Sequence, residues 1–364
     1  MPYCAALYNH MCLTVNAKWR PCCRFSEFGD FSTDQYTFDE YRNSDWYRSI
    51  RQEMVDGWHP GCIKCKDEES RGNFSLRNTM NERKTTSVDS DEITMIEISL
   101  TNNCNLMCRM CGPVYSTAWN RLIKTSPDLL DWQHPAPDSG SSISEILDGI
   151  DLQKVIIFKY LGGEPFITPE IREIFEYLDD RGVIGDITFT TNTNCTFFPD
   201  KWLKYLSKFK QVVLELSIDG VGDLNSYIRH GSDWLDVRGV VDEWAKYNTA
   251  TDNISVGVFT AVQALNLHDL SRIRSFALGR GLAPHSSLVM VPIHLSVTVL
   301  PKEYVDSIKD DVNFKFWPIN TDNHDLYWDE FVKYNKVFDA NLDIKLKDIN
   351  PNLYSYMEKI NDNT

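Results

Sequence analysis

An α/β fold built on a parallel sheet is what this sequence predicts, with a small cysteine-rich segment ahead of it and a helical segment behind. Two patterns lead there. From residue 94 onward, short β-prone runs alternate with amphipathic helical stretches, about six βα units by residue 300. Ahead of them, six cysteines fall within the first 65 residues, around a turn signal at Asn16-Ala17-Lys18. A parallel sheet of this kind is either doubly wound or curled into a barrel, and spacing alone does not choose.

The strand candidates are TMIEISL (94–100), KVIIFKYL (154–161), DITFTTN (186–192), QVVLELSID (211–219), ISVGVFTAV (254–262) and SSLVMVPIHLSV (286–297). Between them PEIREIFEYLDDRG, PDKWLKYLSKF, WLDVRGVVDEWAKY and LHDLSRIRSFALGRG carry apolar residues at helical spacing. In the N-terminal part, residues 1–85, MCLTVNAKWRPCCRF predicts a hairpin. Tyr41, Trp46, Ile50 and Met54 predict a helix stopped at Gly57, and HPGCIKCKDEES turns into a second helix through Met80. KTTSVDSDE (84–92) is polar and suits a linker, and residues 301–364 are helical, with YWDEFVKYNKVF the clearest stretch.

Composition narrows the function. The 364 residues suffice for a substantial core, and 42% apolar with 24% charged content is ordinary for a globular protein. A net charge of −15 disfavours nucleic-acid partners, since that affinity rests on phosphate neutralisation by Lys and Arg. No apolar run approaches the ~20 residues of a membrane helix, and the start lacks the features of a signal peptide, so a cytoplasmic location is expected. In that compartment clustered thiols are more often metal ligands or catalytic groups than disulfides.

The segment TNNCNLMCRMCGP (101–113) crowds Cys104, Cys108 and Cys111 just after the first of the alternating strands. Sites in parallel α/β folds lie at that end of the sheet. Three thiols are one short of the usual four for a closed site. Either a distant residue completes a structural zinc site, or one coordination position stays open. C-x-x-x-C-x-x-C in this place resembles the signature of the radical S-adenosylmethionine (radical SAM) enzymes. LGGEPF (161–166) is similar to that family's GGEP motif, TTNTN (190–194) to its T-N-G, and LSIDG (216–220) with Arg229 to its S-x-D-G…R pattern. The resemblance covers about residues 94–300, with two departures: Met110 stands where an aromatic is usual, and Thr193 where Gly is usual.

The resemblance implies a partial (β/α)6 TIM-like barrel, a radical SAM core over 94–300 and a helical extension over 301–364. It implies that Cys104, Cys108 and Cys111 hold a [4Fe–4S] cluster whose open iron is chelated by S-adenosyl-L-methionine. Reductive cleavage then yields a 5′-deoxyadenosyl radical that abstracts a substrate hydrogen. Implied cofactor contacts are Met110, Gly162, Gly163, Glu164, Pro165, Asn192, Ser217 and Arg229; Glu164 would lie near the ammonium, Ser217 and Arg229 near the carboxylate and ribose. The N-terminal cysteines resemble the auxiliary-cluster modules called SPASM or Twitch, here a small α+β domain over 1–85 that precedes the core instead of following it. Cys4, Cys22, Cys62 and Cys65 would hold a second [4Fe–4S] cluster, with Cys23 as the alternative to Cys22. Two cysteine pairs also suit zinc. A peptide or protein substrate is expected first and a small sugar- or nucleotide-type molecule second, with an external one-electron donor of flavodoxin or ferredoxin type. A zinc-bound, non-catalytic binding protein on the same barrel is the reading from a different class. Cys12 and Cys195 match no pattern and read as small buried hydrophobes, and His59 is the histidine to watch.

Overall fold

The computed structural model describes residues 3–26, 29–82, 91–125, 141–309 and 319–359. Ten strands are described: β1 (His10–Leu13), β2 (Trp19–Arg20), β3 (Met95–Ser99), β4 (Met107–Cys108), β5 (Ile157–Leu161), β6 (Thr188–Thr193), β7 (Gln211–Ser217), β8 (Arg229–His230), β9 (Ile254–Val262) and β10 (Ala283–Leu288). Eight form one sheet in the order β10-β9-β7-β6-β5-β3-β1-β2; β4 and β8 form a separate ladder. From β3 to β10 the neighbours follow chain order without reversal. A doubly wound sheet has a switch point where the order reverses, so this is the strand order of a curled (β/α) sheet.

By internal contacts the chain divides into two units: Met1–Asn103, Pro135–Thr191 and Lys201–Val213 form the first; Cys104–His134, Asn192–Asp200 and Leu214–Thr364 the second. In the first, β1 and β2 pair antiparallel through Cys12↔Arg20 and Leu13↔Trp19, the expected hairpin, with Ala17 at φ 54° in its turn. β1 also pairs in parallel with β3, from His10↔Met95 to Leu13↔Ile98, so the hairpin extends the main sheet. β3–β5 and β5–β6 are parallel as well. The expected helix around Tyr41–Met54 is two: Phe38–Arg42, held by a Thr37/Glu40 capping box, and Asp45–Asp56, capped by Ser44 and ended at Gly57. Asn43-Ser44 divides them because the Ser44 hydroxyl serves the second helix as its cap. The helix expected through Met80 is likewise split, into Ile63–Ser70 and Leu76–Glu82. Most of the expected linker lies outside the described residues.

In the second unit, β9 and β10 pair in parallel. β10 covers APHSSL and not the expected SSLVMVPIHLSV. Pro292 brings no backbone N–H to a ladder, and the residues after it form two short 3₁₀ turns that bury Leu295, Val297 and Val299. The end of the run therefore fills core without being a strand, while Met290 and Val291 are exposed. Helix His324–Asn341 buries Trp328, Phe331, Tyr334 and Phe338 in the same core. No helix among the described residues is long and apolar enough to cross a membrane.

Candidate cluster and cofactor sites

In the first unit, the GGEP turn wraps the backbone that leads to Cys104. Gly162 (φ 97°) and Gly163 (φ 51°) take conformations that side chains disfavour. A Cβ on Gly163 would lie 2.1 Å from the Asn103 carbonyl oxygen, and one on Gly162 would lie 2.7 Å from that of Thr101. The Glu164 N–H donates to the same Asn103 carbonyl at 2.9 Å. These glycines thus admit the close approach of two loops of the protein itself. The Glu164 carboxylate, 1% exposed, caps the turn Pro165–Ile167 by accepting from the Phe166 N–H.

In the second unit, the cysteine loop is pinned through its backbone at Cys104, Cys108 and Arg109. β4 pairs antiparallel with β8, setting Cys108 opposite Arg229 and Met107 opposite His230. The Trp119 indole donates to the Cys108 carbonyl (3.2 Å), and the Arg109 N–H donates to the Ile228 carbonyl (2.9 Å). Cys104 exchanges hydrogen bonds with the Thr117 hydroxyl, and Asn194 Nδ2 lies 3.8 Å from Cys104 Sγ and 2.9 Å from Asn105 Oδ1. Cys108 is buried, while Cys104 and Cys111 are half-buried. A hydrogen bond from Cys108 holds the Cys111 thiol below its ordinary range, and the Arg229 guanidinium acts in the same direction. Met110 packs against the core beneath.

Arg229 is itself buried. Its Nε is ion-paired with Asp219 Oδ2 at 2.8 Å, and its Nη1 lies 3.9 Å from Cys108 Sγ. Asp219 Oδ1 accepts from the Ala261 N–H (2.7 Å), while the Asp219 N–H donates to Asn225 (3.0 Å). Burial pushes the Asp219 carboxyl up, opposed by Arg229 and the Ala261 N–H. Ser217, the last residue of β7, and Asn192, near the end of β6, are half-buried.

Two residues of this region had no signal of their own. Asn194 was visible only as the second Asn of TTNTN, yet it is the one beside Cys104. Arg109, sandwiched in the motif, is 0% exposed. Its guanidinium donates to the Tyr227 carbonyl, to Asn335 Oδ1 and to Asp339 Oδ1 at 3.0–3.2 Å, and stacks on Tyr227 at 3.7 Å.

The N-terminal thiols form the second group, wholly within the first unit. Cys4, Cys22, Cys62 and Cys65 line one cavity together with Phe25 and Met54. Cys23 is turned away, hydrogen-bonded to Glu97 and near Lys159. Burial pushes the Cys4 thiol up to about 12 and raises that of Cys22 as well. His59 shapes the turn that presents Cys62: its Nδ1 accepts from the Gly61 N–H at 2.9 Å, and its ring stacks on Phe25 at 5.1 Å. All ten cysteines are thiols, and Cys12 and Cys195 are buried. Among the described residues, no three His, Cys, Asp or Glu side chains are close enough to grip a single ion.

Both donor sets have the chemistry that iron–sulfur clusters take. Thiolates are the usual cluster ligands, and the four N-terminal thiols share one cavity, while Cys104, Cys108 and Cys111 lie on one loop.

Residues 98–274 match the family model described as Radical SAM superfamily. No curated protein sequence matches the chain. Among solved structures, native anSMEcpe with bound AdoMet aligns at 19% identity and a TM-score of 0.45, over 62% of this chain and 60% of its own. The same protein with AdoMet and the Kp18Cys peptide aligns at 15% and 0.37, over 68% and 59%. SuiB of Streptococcus suis bound to precursor peptide SuiA aligns at 14% and 0.36, over 80% and 62%. The chain thus spans about three fifths of the length of these proteins. The family uses a [4Fe–4S] cluster with S-adenosylmethionine. Residues 98–274, a little under half of the chain, are thus similar to the Radical SAM superfamily of enzymes.

Proposed function

We propose that Cys104, Cys108 and Cys111 hold the [4Fe–4S] cluster of a radical SAM reaction on a peptide or protein segment. The observation that carries this reading is the pinned thiol loop: inside the matched domain, the loop is held at Cys104 and Cys108 by the β4–β8 ladder, Thr117, Asn194 and Trp119, with Arg229 as the cation beside Cys108. When bound, the cluster and S-adenosylmethionine supply a 5′-deoxyadenosyl radical that takes a hydrogen atom from the substrate. The chain's own work is to fix the thiolates and keep their loop rigid. Asn194 and Arg229 supply N–H groups toward two of the sulfurs, and Trp119 anchors the Cys108 backbone. Asn192, Ser217 and the turn Gly162–Pro165 are the residues we assign to holding the cofactor.

In the same reading, residues 1–85 form an auxiliary-cluster module in which Cys4, Cys22, Cys62 and Cys65 hold a second [4Fe–4S] cluster. Their shared cavity supports this, and the orientation of Cys23 toward Glu97 favours Cys22 as the ligand. The peptide class of substrate is carried by the auxiliary-module resemblance, and an external flavodoxin- or ferredoxin-type donor supplies the electron.

The test is metal and sulfide analysis after anaerobic reconstitution, followed by cleavage of S-adenosylmethionine under a strong reductant. About eight irons per chain are expected for two cubanes, and formation of 5′-deoxyadenosine without substrate. Cys104→Ala, Cys108→Ala and Cys111→Ala should each abolish cleavage. Full cleavage in any one of them would sink the assignment, and one zinc with about four irons would make the N-terminal site structural.

A further inference from the structure

Arg229 stands in the S-x-D-G…R pattern, which implied a contact with the cofactor carboxylate or ribose. Its surroundings give it other work. The ladder between β4 and β8 sets Arg229 directly opposite Cys108, its Nε is occupied by the fully buried Asp219, and its Nη1 is directed to Cys108 Sγ at 3.9 Å. Asp219 is in turn fixed by the Ala261 N–H and by Asn225. The guanidinium is therefore held from behind and presented to one thiol of the radical site.

We propose that Arg229 is a positioning residue that sets the reduction potential of the cluster at Cys104, Cys108 and Cys111 by N–H donation and positive charge at Cys108, with Asp219 as its anchor. The physical basis is general. Reduction adds negative charge to a cluster, and a donor or cation at a ligating sulfur stabilises the reduced state more than the oxidised one, which raises the potential. Two buried partners also remove the reorganisation that a solvated arginine would undergo. The inference rests on the radical SAM reading above.

The experiment is a redox titration of the intact, reconstituted chain followed by electron paramagnetic resonance, using the signal that changes on adding S-adenosylmethionine. Only a cluster with an open iron gives that response, so the N-terminal site does not interfere. Arg229→Gln should shift the midpoint to more negative potential with iron content retained. Arg229→Lys, which keeps the charge without the planar fork, should shift it less. Affinity for S-adenosylmethionine, read from the same spectral change, should remain within a few-fold of the parent. Iron loss from a folded Arg229→Gln would overturn the inference and make Arg229 a support of the loop. Should Arg229→Gln fail to fold, the midpoint of Arg229→Lys decides alone. An unchanged midpoint in the variants, or loss of affinity with the midpoint intact, would overturn the inference and make Arg229 a cofactor ligand. A parent protein lacking any signal responsive to S-adenosylmethionine would remove the radical SAM reading itself, a separate failure.

Discussion

Single side chains decide whether the thiol loop holds its shape, and Arg109 shows it best. It lies between Cys108 and Met110, yet its side chain points into the core. There it pairs with Asp339 and fills hydrogen bonds to Tyr227 and Asn335. The Tyr334 hydroxyl donates to the Arg109 carbonyl at 2.6 Å, tying down the same residue by its backbone. Removing one member of a buried charged pair leaves the other uncompensated, which typically costs about 3–5 kcal/mol. Arg109→Ala should destabilise by that order in denaturant unfolding of the iron-free protein. A change below about 1 kcal/mol would show that the pair is replaceable. Cys22 and Cys23 make the same point at the other site: adjacent in sequence, they separate into a shared thiol cavity and a contact with Glu97.

Among the elements, the turn after β5 is the most constrained. Its two glycines combine positive φ with contact distances that no Cβ tolerates against backbone. Gly163→Ala meets the Asn103 carbonyl, which is rigid main chain next to Cys104, so relief requires the cysteine loop to move. The backbone term alone is about 1–3 kcal/mol. We expect Gly163→Ala to lose radical-site iron and 5′-deoxyadenosine formation while the iron of the N-terminal site is retained. Normal cleavage by this variant would mean that the turn adapts without cost to the loop. The GGEP pattern was legible as a motif, but its physical reason was not. The glycines admit the approach of residues 101–103, and no local signal reports which loop comes close.

Across the whole molecule, we propose that the two sets of thiols serve separable roles. Cys62→Ala combined with Cys65→Ala should remove about four of about eight irons and leave 5′-deoxyadenosine formation intact. The comparison needs protein shown by circular dichroism to be folded, because a metal site in a small module couples binding to folding. Loss of cleavage in a folded double variant with the radical-site spectrum intact would overturn the division of labour. Loading of the N-terminal site should also depend on pH with a definite sign. Burial raises the Cys4 thiol to about 12, so iron must displace a tightly held proton. Acidifying the reconstitution buffer should lower iron incorporation there, and alkalinity should raise it.

The sequence by itself determined the alternation of strands and helices, the hairpin at Asn16–Lys18, the helix stop at Gly57, and the three-thiol motif with its companions at strand ends. All of these are written in short-range patterns: periodicity, caps, turn residues and fixed spacings. Only the tertiary structure decided which Asn of TTNTN approaches Cys104, that Cys22 and not Cys23 enters the shared cavity, and that Arg229 is engaged by Asp219 and Cys108. It also decided that the run SSLVMVPIHLSV ends its strand at Leu288 and that Leu295, Val297 and Val299 fill core from two short turns. The reason is distance along the chain. Arg109 meets Asn335 across 226 residues, and Arg229 meets Cys108 across 121. Periodicity reports which face of an element is apolar, but the partner of a buried charge is chosen by packing between elements far apart in sequence.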